Sequence, residues 1–129
     1  MRVTPGHGAA TAGAVSDAMV ELMDLGPTLV ELAGGTSDPD SAARSTVRVL
    51  EDPGRPHRDI ARSELRVANE VMAATADWKM VLNAQGEVYL LFDLAADPSE
   101  ARNLAGRPGY DPIERELRRK LDESLEAGT

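Results

Sequence analysis

The chain has no cysteine among its 129 residues, which excludes disulfides, thiolate nucleophiles and zinc-thiolate sites from anything it does alone. Aromatic residues are nearly as scarce: Trp78, Tyr89, Phe92 and Tyr110 are all of them. Three of these four fall between positions 78 and 92. Large rings bury much apolar area, so that stretch is the expected centre of the core, with Leu, Val, Ala and Met filling the rest. No stretch approaches the roughly 20 apolar residues of a membrane span, and Met1 to Gly8 lacks the apolar run of a signal peptide. The sequence as written therefore predicts a cytoplasmic protein with no membrane partner. Basic residues are outnumbered, 14 against 22 acidic, for a net charge of −8. Nucleic acid, which needs clustered cations, is not an expected partner.

The length suits one domain that can bury about two-thirds of its unfolded surface. Residues 1–14, rich in Gly, Ala and Thr without periodicity, read as a flexible tail, and residues 15–129 as the folded part. Met19-Val20-Glu21-Leu22 has the composition of a short strand. Asp24 then reads as a helix cap, with Pro27 in the first turn, Leu29, Val30 and Leu32 along a short helix, and Gly34-Gly35 as its stop. Two prolines and a glycine make 53–58 an irregular loop.

Four runs follow with strand character: Ile60 to Val67, Glu70 to Ala76, Trp78 to Asn83 and Val88 to Leu94. Asn83-Ala84-Gln85-Gly86 is a hairpin turn whose glycine supplies positive φ. After the last strand, Asp97-Pro98-Ser99-Glu100 has the order of a capping box, and Asn103 can bind backbone groups and turn the chain. From Asp111 the pattern is helical: Pro112 at the first turn, Glu114 completing a box, and Ile113, Leu117, Leu121 and Leu125 recurring every fourth residue. Gly128 ends it. The predicted fold is α+β: a small antiparallel four-stranded sheet with the carboxy-terminal helix packed across one face, preceded by a short amino-terminal strand-helix.

Residue chemistry alone marks no active site. His7 and His57 are the two histidines, and neither has a positioned nucleophile beside it in sequence; His57 reads as an exposed loop histidine. Asp38, Asp40, Glu51 and Asp52 lie in polar stretches and do not converge as a hard cation would require. Arg115, Arg118 and Arg119 alternate with Glu114 and Glu116, as on a solvated helix face. Met19, Met23, Met72 and Met80 are expected to fill gaps in the core.

Two motifs carry a resemblance. Leu91-Phe92-Asp93-Leu94, followed by Asp97-Pro98-Ser99-Glu100-Ala101-Arg102-Asn103-Leu104, resembles the closing segment of the formylglycine-dependent sulfatases, relatives of alkaline phosphatase. Asp24-Leu25-Gly26-Pro27-Thr28-Leu29-Val30-Glu31-Leu32-Ala33-Gly34 is similar to a helix of the same family, in the same order and roughly 60 residues earlier. Asp77-Trp78-Lys79-Met80-Val81 resembles the family's tryptophan/tyrosine-lysine strand. The family's glycine-x-serine-leucine element has no counterpart at Ala43 to Thr46.

The resemblance covers roughly residues 15–125 and implies the carboxy-terminal region of a sulfate-ester hydrolase, with phosphonate or phosphate monoesters as substrates among its relatives. Such an enzyme needs a Cys/Ser-x-Pro/Ala-x-Arg element and a calcium or similar divalent ion held by carboxylates. Here the nearest serine candidate, Ser37-Asp38-Pro39-Asp40-Ser41, puts Ser41 where arginine is required. The expectation is a chain without catalytic residues, metal or cofactor of its own, inactive alone. It would be a truncated frame, a complementing subunit of a split hydrolase, or a stand-alone interaction module. Its implied partner is the missing catalytic domain, or a second copy held through an exposed apolar face, and the parent enzyme could be exported. By the same resemblance Arg55, His57 and Arg58 stand at the rim of the parent's substrate cleft.

Overall fold

The computed structural model describes residues 13–126. They divide into two compact units, the first ending at Arg58 and the second beginning at Asp59. The expected tail lies almost wholly outside the described residues, as do His7 and Gly128.

In the first unit, a 3-10 turn, Leu22–Asp24, runs into helix α1, Leu25–Leu32. Pro27 sits in the first turn, where an intrahelical N–H would have no partner. The stop is the one that the two glycines predict. Gly34 takes φ 81°, its N–H bonds Glu31 O at 2.9 Å, and the Gly35 N–H reaches Val30 O at 2.9 Å. This is the paired bonding of a Schellman turn. Helix α2 is short, Val47–Glu51, and its Val49 is buried.

The strand expected over Met19 to Leu22 does not form. Residues 14–21 have no regular structure, because the carboxylate of Asp24 takes the Glu21 N–H at 2.9 Å and folds the chain into the 3-10 turn. Among the described residues no strand lies alongside to pair with it. The strand propensity of Val20 therefore has nothing to act on.

The second unit is the predicted meander and helix. Strands β1 (Ala61–Leu65), β2 (Glu70–Ala74), β3 (Trp78–Leu82) and β4 (Val88–Asp93) pair antiparallel in chain order. Gly86, at φ 75°, closes the β3-β4 turn, while the Asn83 side chain accepts the N–H groups of Gln85 and Glu87. The register sets Ala73 opposite Met80 and Met80 opposite Leu91. Since side chains alternate along a strand, these three share one face. Helix α3, Asp111–Glu126, lays Leu117 and Leu121 on that face, and Leu82, Leu104 and Ile60 complete the cluster.

The centre of this core is aliphatic. Met80, Leu91 and Ala73 are fully buried, whereas Trp78 is half-buried and stacks edge-on to Tyr110 at 6.1 Å. Tyr89, expected in the core, is exposed: alternation from Leu91 would turn it inward, but the register shift between Val81 and Leu82 leaves it as the extra residue of a bulge. Leu125, the last of the helical stripe, is also exposed, as is Met23 in the first unit.

The turn after β4 departs from its sequence reading. No helix forms over 98–102 and no capping box closes. Asp97 instead accepts the Arg102 N–H at 2.8 Å and the Ser99 hydroxyl at 2.8 Å. Glu100 adopts φ 54° and directs its carboxylate to Lys79, with Nζ at 2.9 and 2.7 Å from the two oxygens. An ion pair to a neighbouring strand thus outcompetes the local cap. Asn103 turns the chain as expected: its Oδ1 accepts Leu91 N–H at 3.0 Å and its Nδ2 donates to Tyr89 O at 2.8 Å.

Candidate functional site

The densest polar cluster of the first unit is built on Asp24. Helical spacing puts Asp24 and Thr28 one turn apart on one side of α1, and both are buried. The Thr28 hydroxyl donates back to Asp24 O and receives the Thr46 N–H at 2.9 Å, which ties α1 to the start of α2. The Asp24 carboxylate, 1% exposed, takes donors from three segments. The Glu21 N–H lies at 2.9 Å and the Arg44 N–H at 2.8 Å. Arg58 approaches as a fork, Nε at 2.9 Å from Oδ2 and Nη2 on Oδ1, and also donates to Ala42 O at 2.8 Å. His57 Nε2 lies 3.2 Å from Oδ2.

The electrostatics follow from this geometry. Burial by itself would push the Asp24 carboxyl upward, since it disfavours the charged form. The bidentate Arg58 contact, the two backbone N–H groups and the Arg58 charge reverse that, and hold the group well below the usual carboxylate range. Arg58 is driven up in turn, chiefly by its hydrogen bond to Asp24. Both partners are therefore charged at neutral pH.

Sequence reasoning places Arg55, His57 and Arg58 together as a rim. The structure separates them. Arg55 is exposed and makes no ion pair among the described residues. The His57 and Arg58 side chains turn inward to Asp24, 8% and 9% exposed. The reading of His57 as an exposed loop histidine is corrected accordingly: Asp24, distant in sequence, draws the ring in.

Asp24 beside His57 has the outline of a carboxylate orienting a catalytic imidazole. The rest of such a site is missing: among the described residues no Ser or Thr hydroxyl hydrogen-bonds to His57, and both Asp24 oxygens are engaged by Arg58. The cluster can hold segments in place; it offers no activated nucleophile. Nor does it suit calcium. Among the described residues no three His, Asp or Glu side chains converge as a metal would require. Glu21 and Asp24 face Arg58, whose guanidinium stands where a cation would.

Sequence reasoning missed Asp24 as the hub, reading it as a local cap. The available signal was Thr28 four residues on, a second polar group on the same side of a short apolar helix. The other unanticipated contact, Lys79 with Glu100, joins the tryptophan-lysine strand to the aspartate-proline turn. Both resembling motifs of the second unit thus meet in one ion pair, which supports an architectural role for them.

The comparisons with known proteins agree with this geometry. Residues 5–127 match the family described as N-sulphoglucosamine sulphohydrolase, C-terminal. The N-acetylglucosamine-6-O-sulfatase of Bacteroides thetaiotaomicron is 27% identical over 124 residues, which takes in 88% of this chain and 22% of that protein. A structure solved in complex with its substrate D-glucosamine-2-N,6-O-disulfate superposes with a TM-score of 0.77 at 26% identity, covering 90% of this chain and 26% of that one. The phosphonate monoester hydrolase of Silicibacter pomeroyi shares the fold, with a TM-score of 0.76 over 94% of this chain and 28% of its own, at 22% identity. The chain spans about a quarter of the length of these relatives. No described helix is long and apolar enough to cross a membrane. An aspartate hub, an antiparallel meander closed by an asparagine turn and a match along nearly the whole chain lead to one assignment: this chain belongs to the family of N-sulphoglucosamine sulphohydrolase carboxy-terminal regions.

Proposed function

We propose that the chain serves as the carboxy-terminal part of a sulfatase-type hydrolase acting on sulfate esters of amino sugars, and that it has no turnover alone. The observation that carries this is a match running from residue 5 to residue 127 with a segment that makes up about a quarter of its relatives. The relatives' names supply the substrate class, since one is an N-acetylglucosamine-6-O-sulfatase and another was solved with a sulfated glucosamine. Inactivity alone is supported by composition: the sequence has no cysteine and no Ser-x-Pro/Ala-x-Arg element to carry formylglycine. Its functional partner is then the catalytic part of the enzyme, in the same polypeptide or as a complementing chain.

Within that enzyme the 53–58 loop stands at the cleft rim. Arg55 is the outward cation for an anionic substrate, while His57 and Arg58 anchor the loop on Asp24. The test is an assay of the purified chain on aryl sulfates and aryl phosphates, with calcium or manganese added. No turnover above buffer is expected, and turnover by the isolated chain would overturn the proposal. In an active enzyme carrying this segment, Arg55→Ala should raise KM with little change in kcat; an unchanged KM would remove the rim role.

A further inference from the structure

Strand β1 is an outer strand of the sheet, and no other described strand pairs with its free edge. Ser63, Glu64 and Leu65 are exposed along it, Leu65 by 55%. At the other edge, Asn103 and Leu104 already bond the outer backbone groups of β4. The edge that one copy of the chain can offer another is therefore β1.

The order of charges along β1 decides how two such edges meet. Pleating puts Arg62 and Glu64 on one face of the sheet, and Ala61, Ser63 and Leu65 on the other. Two copies related by a two-fold axis through the sheet keep these faces aligned, so antiparallel registers that pair at least three residues of β1 have their axis at Arg62, Ser63 or Glu64. Charge separates the three. An axis at Arg62 sets arginine against arginine, an axis at Glu64 sets glutamate against glutamate, and a parallel pair in register does both; like charges directly opposite are destabilising. With the axis at Ser63, Arg62 faces Glu64 of the second copy, Glu64 faces its Arg62, and on the other face Leu65 meets Ala61. All five residues then pair.

We infer that β1 is a self-pairing edge: two copies of this chain join β1 to β1, antiparallel about Ser63, and fuse their four-stranded sheets into one. This pairing stands apart from the function proposed above and does not depend on it. The two-fold axis supplies each opposite-charge pair twice, and it closes the assembly, because each copy covers the free edge of the other and none is left for a third. A five-residue seam is short. The dimer is accordingly weak and forms as concentration rises.

Sedimentation equilibrium of the full chain, over about a hundred-fold range of concentration, reads the pairing directly. Glu64→Lys sets a cation against each Arg62 and should weaken the dimer by about ten-fold or more. Arg62→Glu sets anions against each other and should do the same. Mixed in equal amounts, the two variants again place opposite charges at every such position, so a heterodimer about as strong as the unmodified pair should form. Arg62 also donates to Ser124 O at 3.4 Å within the chain, so a second readout leaves it in place. Because the chain has no cysteine, Ser63→Cys puts a single thiol on the axis and Val67→Cys puts one in the exposed β1-β2 turn. A short bis-maleimide should link position 63 to its copy and leave position 67 unlinked.

A chain that stays monomeric throughout the range would overturn the inference and leave the edge to a strand of another kind. A dimer that Glu64→Lys does not weaken, or that links position 67 as readily as 63, sits on another surface and overturns it equally. So does a mixture of the two charge variants, each folded by Trp78 fluorescence, that remains monomeric.

Discussion

Replacing Asp24 by Asn isolates the hub with minimal change in shape. The carboxylate, 1% exposed, accepts the Glu21 and Arg44 N–H groups, the Arg58 fork and a contact from His57. An amide supplies one acceptor oxygen, so the new NH2 must face donors, and Arg58, 9% exposed, keeps its charge with only Glu21, 3.7 Å away, to balance it. Breaking one side of a buried pair costs about 3–5 kcal/mol. For a unit with few buried apolar side chains, that is a large share of the stability of a typical domain. Trp78 lies in the second unit, so its fluorescence is the wrong probe. Hydrogen exchange read peptide by peptide is the right one. Asp24→Asn should accelerate exchange across residues 20–58 and leave 70–93 nearly unchanged, whereas Asp24→Leu combined with Arg58→Met should recover much of the loss. Acid should act in the same direction. The folded Asp24 titrates below its ordinary value of 3.8, so its stabilisation is complete above about pH 5 and fades as pH falls toward the folded value. A loss below about 1 kcal/mol in Asp24→Asn, or first-unit protection relative to intrinsic exchange that is the same at pH 7 and pH 3, would refute the hub argument.

Two further substitutions probe other parts of the fold. Asn103→Ala strips partners from Leu91 N–H and Tyr89 O and should cost about 1–3 kcal/mol in urea melts followed by Trp78 fluorescence; a midpoint within error of the unmodified chain would contradict this. Gly26→Ala removes backbone freedom within α1 where a methyl group meets nothing, so it should stabilise the isolated first unit by about 0.5–1 kcal/mol, seen as slower exchange in peptides covering 25–32.

What the sequence made legible was what local rules decide. The four strands appear within two residues of their expected ends, because alternation and the Asn83 to Gly86 turn are local signals. The stop at Gly34 and the Leu117-Leu121 stripe are of the same kind. The misses are places where a distant partner outbid a neighbour. Asp24 reads as a cap because the residues that claim it, Arg44, His57 and Arg58, lie 20 to 34 positions away. Glu100 reads as a box residue until Lys79 takes it. Met19 to Leu22 has strand composition, but a strand needs a neighbour that no local pattern can supply. That Arg55, His57 and Arg58 lie close together was legible in the sequence, while the inward turn of His57 and Arg58 depended on the same distant carboxylate.

The side chain of Asn103 has a consequence for the life of the chain in a crowded cell. It offers β4 one donor and one acceptor in the places where a fifth strand would bind, and the Leu104 N–H takes Leu91 O at 2.8 Å beside it. The longest strand of the sheet thus ends the ladder with a counterfeit neighbour, and cannot template pairing with another chain. At the opposite edge β1 is five residues long and carries Arg62 and Glu64, a poor seed for stacking. The asparagine that closes the family signature is therefore also a guard against aggregation.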